Sequence, residues 1–184
     1  MFTRFVRRQL DRFERRWQYD ASYMREVLDE GGIGALLPMQ TLQKLGAYRK
    51  GVSPEVYYAA GLAATRAADC GPCMQLGVRM AEAQGVSSQV LRAIVAGDRQ
   101  AMPADVQLAY DLACATASRD PSCTELSRQA RLRWGARGLM SLAYAMVAGQ
   151  SYPTIKYALG HGHACERITV GGVAIAPAAL QPAQ

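Results

Sequence analysis

Residues 54–85 read PEVYYAAGLAATRAADCGPCMQLGVRMAEAQG, and this stretch decides the fold. Ser53 before it and Glu55 within it predict a helix start, because serine caps helix N-termini and an acidic side chain is stabilised near the positive end of the helix dipole. The helix that follows is rich in alanine, so its small side chains allow neighbouring helices to approach closely. The tetrapeptide at residues 70–73 interrupts this helix and opens a second one, which ends at Gly85.

The rest of the chain also carries helical patterns, with apolar residues spaced three and four apart and glycine or proline between the segments. The predicted helical segments outside the opening stretch, some of which belong to one helix, cover residues 2–17, 20–30, 33–51 (one or two short helices), 88–96, 103–119, 124–134, 139–148 and 152–160. No alternation of period two extends beyond a few residues. We therefore predict an all-α chain with about eight helices.

A chain of 184 residues has the size of one domain, or of one domain with a terminal arm. Half of its residues are apolar, which is enough for a hydrophobic core, and no internal linker is long or polar enough to divide it. We predict three regions: a basic amphipathic helical arm at residues 1–19, one all-α domain at residues 20–168, and a loose tail rich in glycine, alanine and proline at residues 169–184.

The arm combines an apolar stripe with a cluster of arginines. The stripe consists of Phe2, Val6, Leu10, Phe13 and Trp17, and the arginines are Arg4, Arg7, Arg8, Arg12, Arg15 and Arg16. Together with the net charge of +6, this pattern leaves open a solvated basic face, contact with an anionic membrane surface, or nucleic-acid binding. We favour the first, with the stripe packed on its own domain or on a neighbouring subunit, and expect no nucleic acid.

The chain has five cysteines, namely Cys70, Cys73, Cys114, Cys123 and Cys165. An odd number spread through a chain of this length does not resemble the disulfide framework of a secreted protein. No stretch reaches the ~20 apolar residues of a membrane-spanning helix, and the N-terminal residues lack the apolar run of a secretory signal. We therefore predict a reducing, cytoplasmic location, in which Cys70 and Cys73 are the only pair close enough in sequence to act as a unit.

The stretch Cys70-Gly71-Pro72-Cys73 is open to three chemical interpretations. In the first, a thiolate at the helix N-terminus attacks an oxidised partner or a peroxide, and the second thiol completes a disulfide. In the second, the pair binds a metal. Zinc prefers four ligands, but the only histidines, His161 and His163, lie far along the chain, and we expect no metal. In the third, both cysteines are small, inert residues of the core.

The two histidines flank Gly162 just after a predicted helix end. Two roles are open for them. They supply a general base to the dithiol from elsewhere in the fold, or they interact with the helix C-terminus, where a cation is favoured. We favour the second role.

Cys-Gly-Pro-Cys is also the motif of thioredoxins, but that fold places an apolar β-strand before it, whereas this chain has an alanine-rich helix. Residues 59–73 read AAGLAATRAADCGPC, and residues 80–87 read MAEAQGVS. In this helical context the chain resembles the carboxymuconolactone decarboxylase and alkylhydroperoxidase-D-like superfamily. The resemblance covers residues 54–97, continues more weakly by helix order beyond them, and excludes residues 1–50.

The resemblance implies an all-α, alkylhydroperoxidase-D-like fold that assembles as a homo-oligomer, either a trimer or a hexamer. It also implies an antioxidant use of the dithiol, in peroxide reduction or thiol–disulfide exchange. The substrate would be a small peroxide or disulfide, with a thiol reductase as partner and no cofactor. By the pattern of the peroxidase branch, Cys73 attacks the substrate and Cys70 resolves the intermediate.

The proton relay of that branch is missing from this chain. The family pattern places a histidine four residues after the second cysteine and a glutamate twelve residues before the first. This chain has Gly77 and Tyr58 at those positions, and neither is a general base at neutral pH. The candidate helpers are therefore Tyr58 itself, Glu55 on the same helix face, and Arg66 as a nearby cation that favours the thiolate.

Two further functions stay open. A family member that kept the fold and assembly but lost turnover serves as a binding or interaction module, so the sequence does not decide whether the chain is an enzyme. A lyase that decarboxylates a small carboxylic acid is the third alternative. The decarboxylases of the superfamily generally do not depend on C-x-x-C, so the presence of both cysteines favours the redox branch.

Overall fold

The structure, a computed structural model, describes residues 2–164 and 166–177. These residues contain seven α-helices, one short 3₁₀ helix (Arg99–Ala101) and one β-hairpin. The helices are α1 (Phe2–Trp17), α2 (Ser22–Gly46), α3 (Pro54–Ala67), α4 (Gly71–Glu82), α5 (Ser88–Ala96), α6 (Ala104–Ser118) and α7 (Cys123–Ala158). The predominance of helix confirms the predicted all-α class. None of these described helices combines the length and the apolar character needed to cross a membrane.

Two long helices are each interrupted at a glycine. Gly32 in α2 has φ 69° and ψ −169°, and Gly135 in α7 has φ 69° and ψ −177°, a conformation that glycine adopts readily. Both interruptions fall where the sequence predicts them. The predicted boundary at residue 152 is wrong, because α7 continues through the fully buried Pro153. Packing of α7 against α2 and α3 outweighs the cost of an internal proline, which is about 3 kcal/mol.

The larger core is built around α3, which packs between α6 and α7. The alanines of α3 that are completely buried are Ala59, Ala60, Ala63 and Ala64. The backbones of α3 and α7 approach so closely that a Cβ built on Gly149 would lie 2.6 Å from the carbonyl oxygen of Gly61. This geometry confirms the expectation that the small side chains of α3 allow close packing.

The N-terminal helix α1 packs on the protein's own helices. Its Leu10 is buried, and Phe13 and Trp17 pack with residues of α2, α4 and α7 in a second core cluster. The six arginines of α1 are exposed, and Arg7 forms an ion pair with Asp29 at 2.6 Å. From Val6 to Trp17 the apolar stripe therefore packs on the chain itself, as the favoured interpretation of the sequence predicts.

Residues 168–175 form a β-hairpin, with strands β1 (Ile168–Val170) and β2 (Val173–Ile175), which corrects the predicted loose tail. A Gly-Gly pair supplies the two-residue turn, with φ angles of 55° and 78°. Ile168 and Val170 are completely buried, and β1 packs against α4 and α5. Each strand has only 3 residues, so its alternation is too short to distinguish in the sequence. Residues 178–184 of the predicted tail lie outside the described residues.

Candidate functional site

Cys70 and Cys73 lie at the N-terminus of α4 as free thiols. Cys70 is the N-cap residue and is completely buried, whereas Cys73 in the first turn is partly exposed. The backbone enters α4 through Asp69, whose φ of 47° lies in the left-handed region that aspartate tolerates better than most residues. The structure therefore brings the two predicted thiols together at a helix end that stabilises negative charge.

Two hydrogen bonds from later parts of the chain hold this turn. The Tyr157 hydroxyl donates to the carbonyl oxygen of Asp69 at 2.8 Å. The Gly71 amide donates to the carbonyl oxygen of His163 at 3.0 Å. The entry into α4 is thus tied on one side to the last turn of α7 and on the other to the segment that follows it.

The two sulfurs share a proton near neutral pH. Hydrogen bonding from the Cys73 thiol is the main cause that lowers the pKa of Cys70 to about 7. The backbone N–H of Cys73 and the positive charge of Lys156 also lower the pKa of Cys70, whereas burial opposes them. The pKa of Cys73 is raised, first by its hydrogen bond with Cys70 and then by burial. When the pair loses one proton, the negative charge therefore lies on Cys70 and the remaining proton on Cys73.

Three further side chains surround the sulfurs, and none of them is among the candidates named from the sequence. They are those of Tyr19, Tyr23 and Lys156. The Tyr19 hydroxyl lies 4.0 Å from Cys73 Sγ, within hydrogen-bonding distance for sulfur. The Lys156 ammonium lies 5.0 Å from the centre of the Tyr19 ring and 5.3 Å from that of the Tyr23 ring. Because Lys156 is only 3% exposed, the dithiol has a buried cation beside it.

One of these side chains does carry a signal in the sequence. Lys156 is the only charged residue between Gly138 and Gly160. Because burial of a charge is costly unless the charge has a partner, a lone lysine in an apolar helix indicates a buried cation with a specific interaction. Tyr19 carries no such signal, because its contact with Cys73 joins residues 54 positions apart.

Two of the candidate helpers, Glu55 and Tyr58, are not part of the site. Both lie in the first two turns of α3, whereas the dithiol follows the last turn, roughly 13 Å beyond Tyr58 and 18 Å beyond Glu55 along the helix axis. Tyr58 packs against the guanidinium of Arg49, which lies 4.9 Å from the centre of its ring. The structure therefore does not bring these two residues to the thiols of the same chain, because they begin a helix and the dithiol follows its end.

Arg66, the third candidate helper, points away from the sulfurs. Its guanidinium is buried between α3, α5 and α6, where Nη1 donates to the carbonyl oxygen of Val95 at 3.2 Å and to the hydroxyl of Tyr110 at 3.3 Å. The cation whose charge lowers the pKa of both thiols is Lys156 from α7. The cation beside the sulfurs therefore comes from α7, and Arg66, the residue named from the sequence, is not part of the site.

His161 connects the segment after α7 to α2. Its Nε2 lies 2.6 Å from Glu26 Oε2, and its Nδ1 lies 3.3 Å from Ser22 Oγ. The favoured prediction, an interaction of His161 with the helix C-terminus, is met by its backbone, whose N–H donates to the carbonyl oxygen of Lys156 at 2.8 Å. The ring itself binds side chains of α2 instead. His163 reaches the site through its backbone carbonyl, which accepts the Gly71 N–H.

Two of the remaining cysteines, Cys114 and Cys123, lie on helices other than the one that carries the dithiol. Cys114 is buried in α6, and burial raises the pKa of its thiol. Cys123 begins α7, with its Sγ 3.4 Å from Thr116 Oγ1. Cys165 lies outside the described residues, and within residues 2–164 and 166–177 no three His, Cys, Asp or Glu side chains are grouped to hold a metal ion. Cys114 and Cys123 therefore provide control thiols within the same chain.

A surface cavity of about 440 Å³ opens beside the first turn of α4. The side chains and backbone that line it include Gly71, Pro72, Gln75, His163, Glu166 and Arg167. Gly71 and Pro72 lie between the two cysteines in the sequence, so the cavity adjoins the turn that carries the thiols. Its size gives a small molecule space next to that turn.

The charge of Asp69 provides a direct test of the electrostatics. Its carboxylate raises the pKa of Cys70, so Asp69→Asn should lower that pKa below about 7 and increase the thiolate fraction in mildly acidic solution. Asparagine also tolerates a positive φ, so the turn is kept. The measurement is the ultraviolet absorbance of the thiolate as a function of pH. Asp105→Asn, which removes the partner of Arg133 on α7, is the control and should leave the titration unchanged.

Comparisons of the chain with protein-family models, with curated proteins and with solved structures found no match. The resemblance to the alkylhydroperoxidase-D-like superfamily therefore rests on the sequence of residues 54–97 alone.

Proposed function

We propose that this protein is an alkylhydroperoxidase-D-like dithiol oxidoreductase, which reduces a small disulfide or a peroxide while Cys70 and Cys73 form a disulfide. The observation that carries the proposal is the pairing of a partly exposed thiol on Cys73 with a buried thiolate on Cys70, whose pKa is about 7. An inert pair of core cysteines has no reason to hold a negative charge beside a buried lysine.

Cys73, the partly exposed thiol, meets the substrate first. Cys73 passes its proton to the Cys70 thiolate, and the new Cys73 thiolate attacks one sulfur of a small disulfide. The S–S bond of the substrate breaks, and one substrate thiolate leaves while Cys73 forms a mixed disulfide. The raised pKa of Cys73 makes its thiolate scarce at neutral pH, and the stronger nucleophilicity of such a thiolate offsets only part of that scarcity. The reaction therefore depends on Cys70 as the acceptor of the Cys73 proton.

The second step closes the protein disulfide. Cys70 releases its proton to the departed substrate thiolate, and the Cys70 thiolate attacks the sulfur of Cys73. The mixed disulfide breaks, and the second substrate thiolate leaves and takes a proton from water. One dithiol and one small disulfide thus become one protein disulfide and two small thiols. A thiol reductase reverses the exchange and restores the dithiol.

The same pair can reduce a peroxide. The Cys73 thiolate attacks the outer oxygen, the O–O bond breaks, and the leaving alkoxide takes the proton now held by Cys70, which gives an alcohol and a sulfenic acid on Cys73. The Cys70 thiolate then attacks the Cys73 sulfur, and hydroxide leaves and is protonated to water. Cys70 thereby replaces the missing histidine and glutamate as the proton acceptor. A disulfide substrate depends less on proton transfer to the leaving group than a peroxide does. The reason is that a leaving thiolate is a much weaker base than an alkoxide.

The test is oxidation of the reduced protein by hydroxyethyl disulfide and, separately, by cumene hydroperoxide. We expect two thiols to be lost per chain and mass spectrometry to map the new bond to residues 70 and 73. Below about pH 7 the rate should fall with pH, because the Cys70 thiolate that accepts the first proton is then protonated.

A double variant, Cys114→Ser with Cys123→Ser, is the matched control and should react like the unmodified protein. If neither oxidant forms a bond between residues 70 and 73, the proposed function is wrong and the binding-module alternative replaces it. If only one oxidant does so, that result identifies the substrate class.

A further inference from the structure

We propose that the N-terminal segment of the chain completes the dithiol site. Tyr19 is a catalytic residue that donates a hydrogen bond to the Cys73 sulfur while this sulfur carries negative charge. Lys156, which lies against the Tyr19 ring, is the positioning residue. This inference rests on the proposed function. It assigns a chemical role to a part of the chain that lies outside the resemblance at residues 54–97.

The first argument is that Tyr19 is fixed relative to the thiols. It follows α1, and the carbonyl oxygens of Trp17 and Gln18 accept hydrogen bonds from Arg79 Nη1 at 2.5 and 2.6 Å. Arg79 belongs to α4, the helix that begins at the dithiol. One helix therefore carries both the reacting sulfurs and the side chain that holds the segment around Tyr19.

The ring of Tyr19 is held as firmly as its backbone. It packs edge to face against Phe13, with 5.8 Å between the ring centres, and Lys156 lies against its face. Tyr19 is only 6% exposed, so its hydroxyl stays beside Cys73 rather than in solvent. This is the arrangement that a hydrogen bond needs if it is to act during the reaction without reorganisation.

The second argument is that Tyr19 acts as the donor in its contact with Cys73. Burial is the main cause that raises the pKa of Tyr19, so the phenol keeps its proton over the working pH range. A thiolate has no proton to give, so when the charge moves to Cys73 the hydroxyl of Tyr19 donates and the sulfur accepts. In line with this direction, the Tyr19 hydroxyl lowers the pKa of Cys73.

The third argument concerns where the negative charge goes during the reaction. It starts on Cys70, moves to Cys73 as the proton is transferred, and appears on Cys73 again when the reductase, having attacked Cys73 and formed a mixed disulfide with it, releases this sulfur. Lys156 lowers the pKa of both thiols, so it stabilises the charge at either position. The Tyr19 hydroxyl stabilises negative charge on the Cys73 sulfur and thereby favours formation of the attacking thiolate. Tyr19 keeps its own proton throughout, so the proton balance of the reaction is unchanged.

The groups that face the thiols come from four parts of the fold. Tyr19 approaches from the segment after α1, Tyr23 from α2, Asp69 from the turn before α4, and Lys156 from α7. Tyr23 stays protonated because burial raises its pKa. The hydrogen bond from Cys73 is the main cause of the lowered pKa of Cys70, and the charges of Lys156 and Asp69 adjust that pKa in opposite directions. Tyr19 affects the reactivity of Cys73 instead.

The test is Tyr19→Phe, which removes one oxygen and keeps the ring against Phe13 and Lys156. We expect oxidation by hydroxyethyl disulfide to become about tenfold slower, as for the loss of one hydrogen bond to a charged group. The midpoint of the thiolate titration should stay near its original value, because Tyr19 does not act on Cys70. Tyr57→Phe is the matched control, since it removes a buried hydroxyl that donates to the carbonyl of Gly46 on α2, and it should react at the original rate.

Lys156→Met tests the second residue by a different readout. Loss of the buried charge should raise the midpoint of the thiolate titration and slow the reaction, and Lys156→Arg should restore both towards their original values. If Tyr19→Phe reacts at the original rate while the unmodified protein still forms the disulfide between residues 70 and 73, the role of Tyr19 is wrong and the proposed function stands. If the unmodified protein forms no such disulfide, the proposed function itself fails.

Discussion

Cys73→Ser should abolish the reduction of hydroxyethyl disulfide, with a loss of at least about a hundredfold in rate. The physical reason is that Cys70 is completely buried, so its thiolate cannot replace Cys73 as the sulfur that meets the substrate. Loss of the Cys73 thiol also removes the main cause that lowers the pKa of Cys70. The measurement is the rate of substrate thiol release at neutral pH, together with the midpoint of the thiolate titration, which should move upward.

Cys70→Ser should fail in a different way. Without the buried thiolate the proton of Cys73 has no acceptor in the pair, so the first step slows at neutral pH. The mixed disulfide that does form on Cys73 has no resolving thiol, so it should accumulate and be visible by mass spectrometry. The low-pH limb of the thiolate titration should disappear, because it belongs to Cys70.

The two cysteine variants together decide the order of roles. Accumulation of a mixed disulfide on residue 73 in Cys70→Ser, and none in Cys73→Ser, agrees with Cys73 as the attacking thiol. The opposite pattern, with a mixed disulfide on Cys70 in Cys73→Ser, would assign the attack to Cys70 and reverse the scheme. Cys114→Ser should behave like the unmodified protein, because this thiol is buried in α6 away from the site.

Gly149→Val should produce the largest loss of stability outside the site. A Cβ at residue 149 would lie 2.6 Å from the carbonyl oxygen of Gly61 and 3.0 Å from Thr65 Oγ1, and the backbone carbonyl cannot move without shifting α3. Thr65 Oγ1 also donates to that carbonyl at 2.9 Å, so the groups are tied to one another. We expect a loss of about 3 kcal/mol in the free energy of unfolding. In a chain of this size that corresponds to a fall of roughly 6–12 °C in the melting temperature.

Gly34→Ala is the matched control for this prediction. Gly34 is also helical, but a Cβ built there would meet nothing within 4 Å. The substitution should therefore stabilise the protein, by about 0.5 kcal/mol, because alanine loses less backbone entropy than glycine when a helix forms. Denaturant unfolding measures both variants. Equal stability of Gly149→Val and the unmodified protein would contradict the close approach of α3 and α7.

The sequence alone was sufficient for the local features of this protein. Serine at residues 53 and 87 caps α3 and α5, and glycine at residues 32 and 135 interrupts α2 and α7. These features depend on residues only a few positions apart, so capping, proline and glycine rules apply to them directly. For the same reason the sequence placed the dithiol at the start of a helix, where α4 begins in the structure.

Only the tertiary structure decided which side chains surround the sulfurs. Tyr19 reaches Cys73 across 54 residues of sequence, and Lys156 arrives from the last helix, while Arg66, much nearer in sequence, turns towards α5 and α6. The hairpin at residues 168–175 is likewise stabilised by burial against α4 and α5 rather than by its own short pattern. Contacts of this kind are set by how whole helices pack, because a side chain's direction follows from its helix face and its neighbours, and spacing along the chain does not encode them.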